Sequence, residues 1–402
     1  MWLNNLHFPN EEGLYDLRIH DGKIAAVRSS QPADPIKTPP LSPSGSKSNY
    51  GNFADEPALH FDGALAFPGL INSHDHLDFN LFPPLANRIY NNYTEWGPDI
   101  HANNKAIIRD ILKIPQSVRT QWGIYKNLLN GFTTVVNHGE RLDTGTSPIT
   151  VFQDCYCLHS VGFEPNWKWK LNHPAKTGRP FALHVGEGTD AAASREIDDL
   201  IRWNFFHRPL IDIHGVAMTE EQAPAFHALV WCPASNYFLL DKTAPIDRLR
   251  AKVSIFFGTD STLTSGWNAW DQIRFARDLR LAPDTELLAM LTTAPAKAWE
   301  LNDRGALTPG KMADLVIGRP KPGLTGMDAF FSLNPEDLLL VLHAGEIKLF
   351  DPSLLEPITE QELTAGDFQP TRPDGKYVAG DLPGLMQEIC RYCPNIPLQI
   401  LP

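Results

Sequence analysis

Short apolar runs alternate with helix-length segments between residues 64 and 304, while both chain ends read as short strands and turns. Together these predict an α/β fold: a (β/α)8 TIM-like barrel, full or shortened by a unit, with a small β-sandwich domain formed by both chain ends. A third observation supports the barrel. His74, His76, His184, His214 and Asp260 each fall at or just past the end of an apolar run, and in such barrels functional side chains gather at the C-terminal ends of the strands.

The elements follow in order. Leu14–Ile19 and Lys23–Arg28 alternate apolar and polar residues around Asp21-Gly22, a hairpin signal. Residues 29–56 are rich in Pro, Ser, Gly and Asn and read as a flexible insertion within an N-terminal part spanning 1–63. The barrel, 64–304, is expected to use strands at Ala64–Ile71, Phe132–Asn137, 152–158, Phe181–Val185, Leu210–Ile213, Leu229–Cys232 and Val253–Gly258, with a helix at Ala269–Leu281. Between His76 and His184 three strands are expected; two are legible, and the third is expected in Trp167–Leu171 or is degraded. Residues 305–351 return to turn-and-strand texture and complete the sandwich; 352–402 read as a tail with one short helix at Leu382–Cys393.

Composition narrows the function. The chain of 402 residues is 43% hydrophobic and 20% charged, a globular rather than disordered composition. Its 35 Lys and Arg against 47 Asp and Glu leave a net charge of −12 with no long basic run, which argues against a nucleic-acid partner or an anionic membrane surface. No apolar run reaches the roughly 20 residues that span a bilayer, and the first residues lack the pattern of a signal peptide. Five cysteines suit a reducing, cytoplasmic location, and Cys390-x-x-Cys393 reads as a coincidental pair. The expected partners are a small-molecule substrate and, at most, a second copy of the chain.

The chemistry lies in the polar residues at the strand ends. Histidines at i and i+2 on a strand, His74 and His76, project both rings to one side, a ready pair of ligands for a transition metal. In His184-x-x-Glu187 a carboxylate follows a histidine into a loop, where it can reach water held by a metal and act as general base and then acid. His214 is followed by Gly215, which leaves room beside the ring, and Asp260 offers a hard oxygen ligand. Any one of these alone is more often a capping or core residue; their shared strand rhythm selects the metal-site reading. His138 also ends a strand-like run and is a candidate second-sphere or substrate contact. Tyr93, Trp96, Trp167 and Trp267 are candidates to stack on a flat heterocycle.

Several strings, in this order, resemble those of the metal-dependent amidohydrolase superfamily, in the branch of cytosine, guanine and methylthioadenosine deaminases and triazine hydrolases: Phe67-Pro68-Gly69-Leu70-Ile71-Asn72 with His74-Asp75-His76, Gly131–Val135, His184–Glu187, Cys232-Pro233-Ala234-Ser235-Asn236, Gly258–Ser261 and Gly305–Val316. The resemblance implies that His74, His76, His184 and Asp260 hold one divalent metal, zinc or iron. It also implies that Glu187 shuttles protons, that Asp260 takes part in catalysis, and that His214 polarises water or substrate or completes the metal's shell. Two-metal relatives use a carboxylated lysine from a middle strand, and Lys168 and Lys170 lie in that region; the H-x-x-E string belongs to the single-metal branch.

Trp231 stands where the branch commonly has His, so it is expected to make the substrate pocket bulkier and more apolar. The expected function is metal-dependent hydrolysis of C–N bonds, foremost deamination of an amino-substituted N-heterocycle. The alternative is opening of a cyclic amide or imidazolone ring. A non-catalytic scaffold would be expected to lose metal ligands, which this chain keeps.

Overall fold

The computed structural model describes residues 1–30, 56–364, 366–373, 375–394, 396 and 398. The insertion expected over 29–56 lies, apart from its ends, outside the described residues.

The chain ends build one nine-stranded mixed sheet. Its N-terminal strands are β1 (Trp2–Phe8), β2 (Glu11–His20), β3 (Lys23–Ser29) and β4 (Ala58–Pro68). Asp21 and Gly22 both take positive φ (48° and 72°), the conformation of the tight turn that lets β2 and β3 pair antiparallel.

The middle of the chain forms two all-parallel sheets. One holds β5 (Leu70–Asp75), β6 (Phe132–Asn137) and β7 (Thr150–Phe152). The other holds β8 (Tyr156–Ser160), β9 (Phe181–Val185), β10 (Leu210–His214), β11 (Ala228–Trp231) and β12 (Ser254–Phe257). Helices separate most of these strands, as in Gln116–Leu129 before β6 and Ala191–Trp203 before β10. This is the α/β alternation expected from the sequence, with a helix at Ala269–Asp278 capped by Asn268.

The return strands β13 (Leu315–Gly318), β14 (Leu338–His343) and β15 (Glu346–Phe350) join β4 in the mixed sheet. The segment expected as a tail adds β16 (Phe368–Pro370) and β17 (Tyr377–Ala379) to the same sheet. Its helix, Leu382–Tyr392, follows β17, whose Ala379 carbonyl accepts a hydrogen bond from Tyr125 at 3.0 Å.

Two expectations are corrected. The run Ala64–Ile71 is not one strand: it breaks at Gly69, where β4 leaves the end sheet and β5 enters the parallel one. A Cβ at Gly69 would lie 2.2 Å from Thr133 Oγ1, so the crossing depends on its missing side chain. The third strand between His76 and His184 is not Trp167–Leu171, which is helical. Trp167 and Leu171 are buried four residues apart while Trp169 is 65% exposed, a helical rather than a strand period. The 152–158 run instead divides into β7 and β8.

Side chains on β9–β12 alternate with period 2. Phe181, Leu183, Leu229, Trp231 and Phe257 belong to the large core. Ala182, Ile211, Val230 and Phe256 belong to a smaller core with Val136 of β6.

Candidate metal centre

His74 and His76 project from the end of β5, His184 from β9, His214 from the last position of β10, and Asp260 from the turn after β12. Two of them break the strand alternation: His214 (φ 79°) and Asp260 (φ 54°) occupy the left-handed region, which turns their side chains into the cluster. Gly258 lets β12 pass close to β5, since a Cβ there would lie 2.8 Å from His74 Cβ.

The donor atoms converge. His184 Nε2 lies 3.3 Å from His74 Nε2, and Asp260 Oδ1 lies 3.6 Å from His74 Nε2 and 3.9 Å from His76 Nε2. His74, His76 and His184 form one group with ligand atoms within 4.8 Å of one another, and His74, His214 and Asp260 form another. Ligands about 2.0–2.2 Å from a tetrahedral zinc ion stand about 3.3–3.6 Å apart, so these separations suit a divalent metal. The histidines are prepared for it. His184 Nδ1 donates to the His159 carbonyl at 2.7 Å, which leaves Nε2 as a lone pair aimed into the cluster. Burial, reinforced by neighbouring rings, holds His76 and His184 well below the usual histidine range, in the neutral form a metal requires.

Burial alone would raise the Asp260 carboxyl, but His74 and the neighbouring rings outweigh it and hold the group well below its ordinary value. Ser235 Oγ at 2.8 Å, Thr264 Oγ1 at 2.7 Å and the Ser261 amide at 2.7 Å also donate to it. Glu187 is shifted the other way. Burial first, then the charges of Asp260 and Glu196, push its carboxyl well above the ordinary range.

A relay of hydrogen bonds sets the His214 ring. Trp231 Nε1 can only donate, and it donates to Thr243 Oγ1 at 2.7 Å. Thr243 donates in turn to Asn236 Oδ1 at 3.1 Å, and the Asn236 amide faces His214 Nδ1 at 2.8 Å. With Nδ1 accepting, the His214 proton is assigned to Nε2, which lies 3.7 Å from Glu187 Oε1 and 4.0 Å from Asp260 Oδ2. Burial lowers the His214 pKa to about 3, so the ring stays neutral.

A profile of the amidohydrolase family matches residues 144–347, a span that includes His184, Glu187, His214 and Asp260. The chain belongs to the amidohydrolase family. It is similar to a 5-methylthioadenosine/S-adenosylhomocysteine deaminase of Desulfitobacterium hafniense, 31% identical over 40% of this chain and 39% of the relative. The chain thus matches well under half the length of that relative. A protein of the same name from Caldicellulosiruptor saccharolyticus is 23% identical over 87% of this chain and 91% of its own length. Among solved structures, an adenosine deaminase from Xanthomonas campestris with bound zinc has the same fold (TM-score 0.69, 17% identity, 98% of each chain). So does the atrazine chlorohydrolase of Arthrobacter aurescens complexed with zinc (TM-score 0.64, 16% identity, 90% of this chain and 99% of that one).

In this amidohydrolase a cavity opens onto the cluster. Trp96 and Tyr93 line it; Trp167 and Trp267 are packed in the main core. Trp231 is corrected as a pocket residue. It is fully buried in the main core on the opposite face of β11 from Val230, and its contact is Thr243. His138 lies outside the cavity, beneath the cluster, with its ring centroid 4.5 Å from that of His184. Lys168 and Lys170 are not brought to the metal centre: Lys168 covers the Trp203 ring and Lys170 pairs with Glu164 at 2.8 Å.

Sequence reasoning missed His159, Phe79, Phe163 and Leu263, which also line the cavity. His159 lies on β8, which runs past the end of the strand expected over 152–158. Sequence reasoning also missed the polar seam behind the ligands. Lys126, fully buried, reaches Asn80 Oδ1 at 2.7 Å, the Asp260 carbonyl at 3.2 Å and Asp75 Oδ2 at 3.3 Å. Asn72 joins β5 to the β12 turn through Thr259, accepting from its amide at 3.0 Å and donating to its hydroxyl at 2.8 Å.

Proposed function

We propose that this amidohydrolase is a metal-dependent hydrolase of C–N bonds, a deaminase of an amino-substituted N-heterocycle. The observation that carries the reading is Glu187, a buried carboxyl pushed well up, lining the cavity beside the histidine cluster. A carboxyl tuned in this way can take a proton and return it. His74, His76, His184 and Asp260 would hold one divalent ion, zinc or iron; relatives of the same fold that contain zinc favour zinc. Such an ion supplies Lewis acidity that makes water nucleophilic near neutral pH.

The residues of the chain carry the rest. Glu187 takes a proton from the attacking water and delivers it to a ring nitrogen, and water oxygen bonds to the amino-bearing carbon. His214, a donor through Nε2 by virtue of its relay, stabilises the charge that develops on the adduct rather than acting as a ligand. Asp260, ionised, accepts the remaining water proton. That proton passes from Asp260 by way of Glu187 to the amine, the C–N bond breaks, and ammonia leaves with a carbonyl in place of the amino group.

We read the two parallel sheets as arcs of one barrel. In support, β6 and β9–β12 share one inner core, and the Asp260 amide donates to the His74 carbonyl at 3.0 Å across the seam. We read the nine-stranded sheet as curled into the sandwich: Gly310 donates to Ile24 at 2.8 Å and Ala313 to Gly22 at 2.9 Å, bringing β3 back to the entry of β13. No helix among the described residues is long and apolar enough to cross a membrane. The free cysteines, with Cys155 and Cys157 Sγ atoms 3.7 Å apart, suit a reducing, cytoplasmic setting.

The test is Glu187→Gln. Ammonia release should fall by at least about 10³-fold while metal content stays near one ion per chain, because Glu187 is a proton carrier and not a ligand. Retained turnover would refute the role.

A further inference from the structure

Glu187 sits between two glycines, in a turn closed by a bond from the Gly188 amide to the Gly186 carbonyl at 2.9 Å. His214 Nε2 lies 3.7 Å from its carboxyl, beyond hydrogen-bond length, so the place of the carboxyl follows the backbone of the turn. Glycine on either side gives that backbone little stiffness of its own. What fixes the turn comes from outside it. We propose that Glu196 is the positioning residue for Glu187, clasping its turn to the cavity wall through Tyr93. The inference rests on the deaminase reading, in which Glu187 carries the protons.

The turn is pressed between two helices. A Cβ at Gly186 would lie 2.5 Å from Ile197 Cδ1, on the helix Ala191–Trp203, and one at Gly188 would lie 2.6 Å from Asn92 Cβ, at the start of the helix Tyr93–Asn103. On the far side of Glu187, the Thr189 amide donates to the Asn91 carbonyl at 2.7 Å, and Asn92 Nδ2 donates to Asp190 Oδ2 at 2.7 Å. On the near side, next to the ligand His184, the bond is from the Gly186 amide to Glu196 Oε2 at 3.1 Å.

The other oxygen of Glu196 accepts from the Tyr93 hydroxyl. Burial first, then the charge of Glu196, push that hydroxyl well up, so it stays protonated and remains a donor. Tyr93 holds two further bonds: its hydroxyl accepts from the Gly162 amide at 2.7 Å, and its amide donates to the Glu187 carbonyl at 3.1 Å. One carboxylate–phenol pair therefore joins the loops that follow β5, β8 and β9. The same pair sets the wall, because the Tyr93 and Phe163 rings meet edge to face with centroids 5.2 Å apart. Glu196 itself lies outside the cavity lining, so it acts on the reaction through Glu187 and Tyr93.

The test uses the metal-loaded, full-length protein with adenosine, 5′-methylthioadenosine, cytosine and melamine as probes, the fastest being carried through the variants. Glu196→Ala should lower kcat for ammonia release about 10–100-fold, with KM changed less than about 3-fold and about one ion per chain retained. Tyr93→Phe keeps the ring and loses the hydroxyl; it should lower kcat by a similar factor, and it carries the test if Glu196→Ala does not fold. Glu196→Gln keeps an acceptor for Gly186 and a polar end for Tyr93, and should restore kcat to within about 5-fold of the native protein. In a Glu187→Gln background the proton carrier is gone, so Glu196→Ala should cost less than about 3-fold in the residual rate. Deuterium exchange of the amides over 186–188, read without substrate, should speed at least about tenfold in Glu196→Ala and return to the native rate in Glu196→Gln. Unchanged kcat, unchanged exchange, or equal kcat losses in both backgrounds would overturn the inference and leave the deaminase reading standing. No ammonia from any probe would overturn the deaminase reading, and the exchange rates would then decide the clasp by themselves.

Discussion

Replacing Thr243 with Val tests whether the relay behind His214 sets its chemistry. The substitution keeps the branched shape and removes the one hydroxyl that links Trp231 Nε1 (2.7 Å) to Asn236 Oδ1 (3.1 Å). Trp231 is fully buried, so its N–H loses its partner with no access to water, a cost of about 1–3 kcal/mol. Asn236 would be free to turn its amide, and His214 Nδ1, now held at 2.8 Å, would lose the donor that places the proton on Nε2. Loss of such an orienting partner commonly costs about 10–100-fold in activity. Urea unfolding should therefore show a loss of about 1–3 kcal/mol, and kcat should fall about 10–100-fold with KM changed far less. Trp231→Phe is the control. It removes the N–H at the start of the relay but leaves Thr243 bonded to Asn236, so it should lower stability while kcat stays within a few-fold. Thr243→Val with unchanged kcat, or Trp231→Phe with an equal loss of kcat, would refute the reasoning.

Lys126→Met strands the buried Asp75 carboxylate, whose side chain is 0% exposed, and should cost about 3–5 kcal/mol in denaturant unfolding. Lys170→Met breaks a half-buried pair near the surface with Glu164 and should cost no more than about 1 kcal/mol; equal losses would show that the Lys126 seam is not special. The last prediction concerns acid. Burial would raise the Asp351 carboxyl, but bonds from Lys376 and Ser353 outweigh it and lower its pKa. A carboxyl lowered on folding stabilises the fold above its unfolded value, and that stability is lost as pH falls through the folded value. Unfolding free energy should thus decline below about pH 4, and less steeply in Lys376→Met. Burial shifts Lys376 itself downward, an effect on the alkaline side that does not enter this window. Identical acid slopes in the two proteins would rule out the pairing as the cause.

The metal cluster and the α/β alternation were legible because both are local patterns. His74-x-His76 encodes a shared strand face, His184-x-x-Glu187 a strand followed by a loop, and Asp21-Gly22 a hairpin turn. The strands between His76 and His184 were harder to read. Thr150–Phe152 and Tyr156–Ser160 are separated by only a few residues, and Trp167–Leu171 alternates as a strand would while burying residues at helical spacing.

Donor types, their order and their placement at strand ends are local properties of the chain, because side-chain chemistry and backbone period are carried by neighbouring residues. What lies beside each donor is set by the packing of the whole chain, since it depends on residues far apart in the sequence. That packing turned Trp231 away from the pocket and into the hydrogen-bonded line to His214. It set Lys126 behind Asp75 and Asp260, and gathered Phe79, Trp96 and Phe163 into one apolar wall. No local pattern specifies such contacts, because alternation fixes only which side of a strand a residue faces, and packing decides what it meets there.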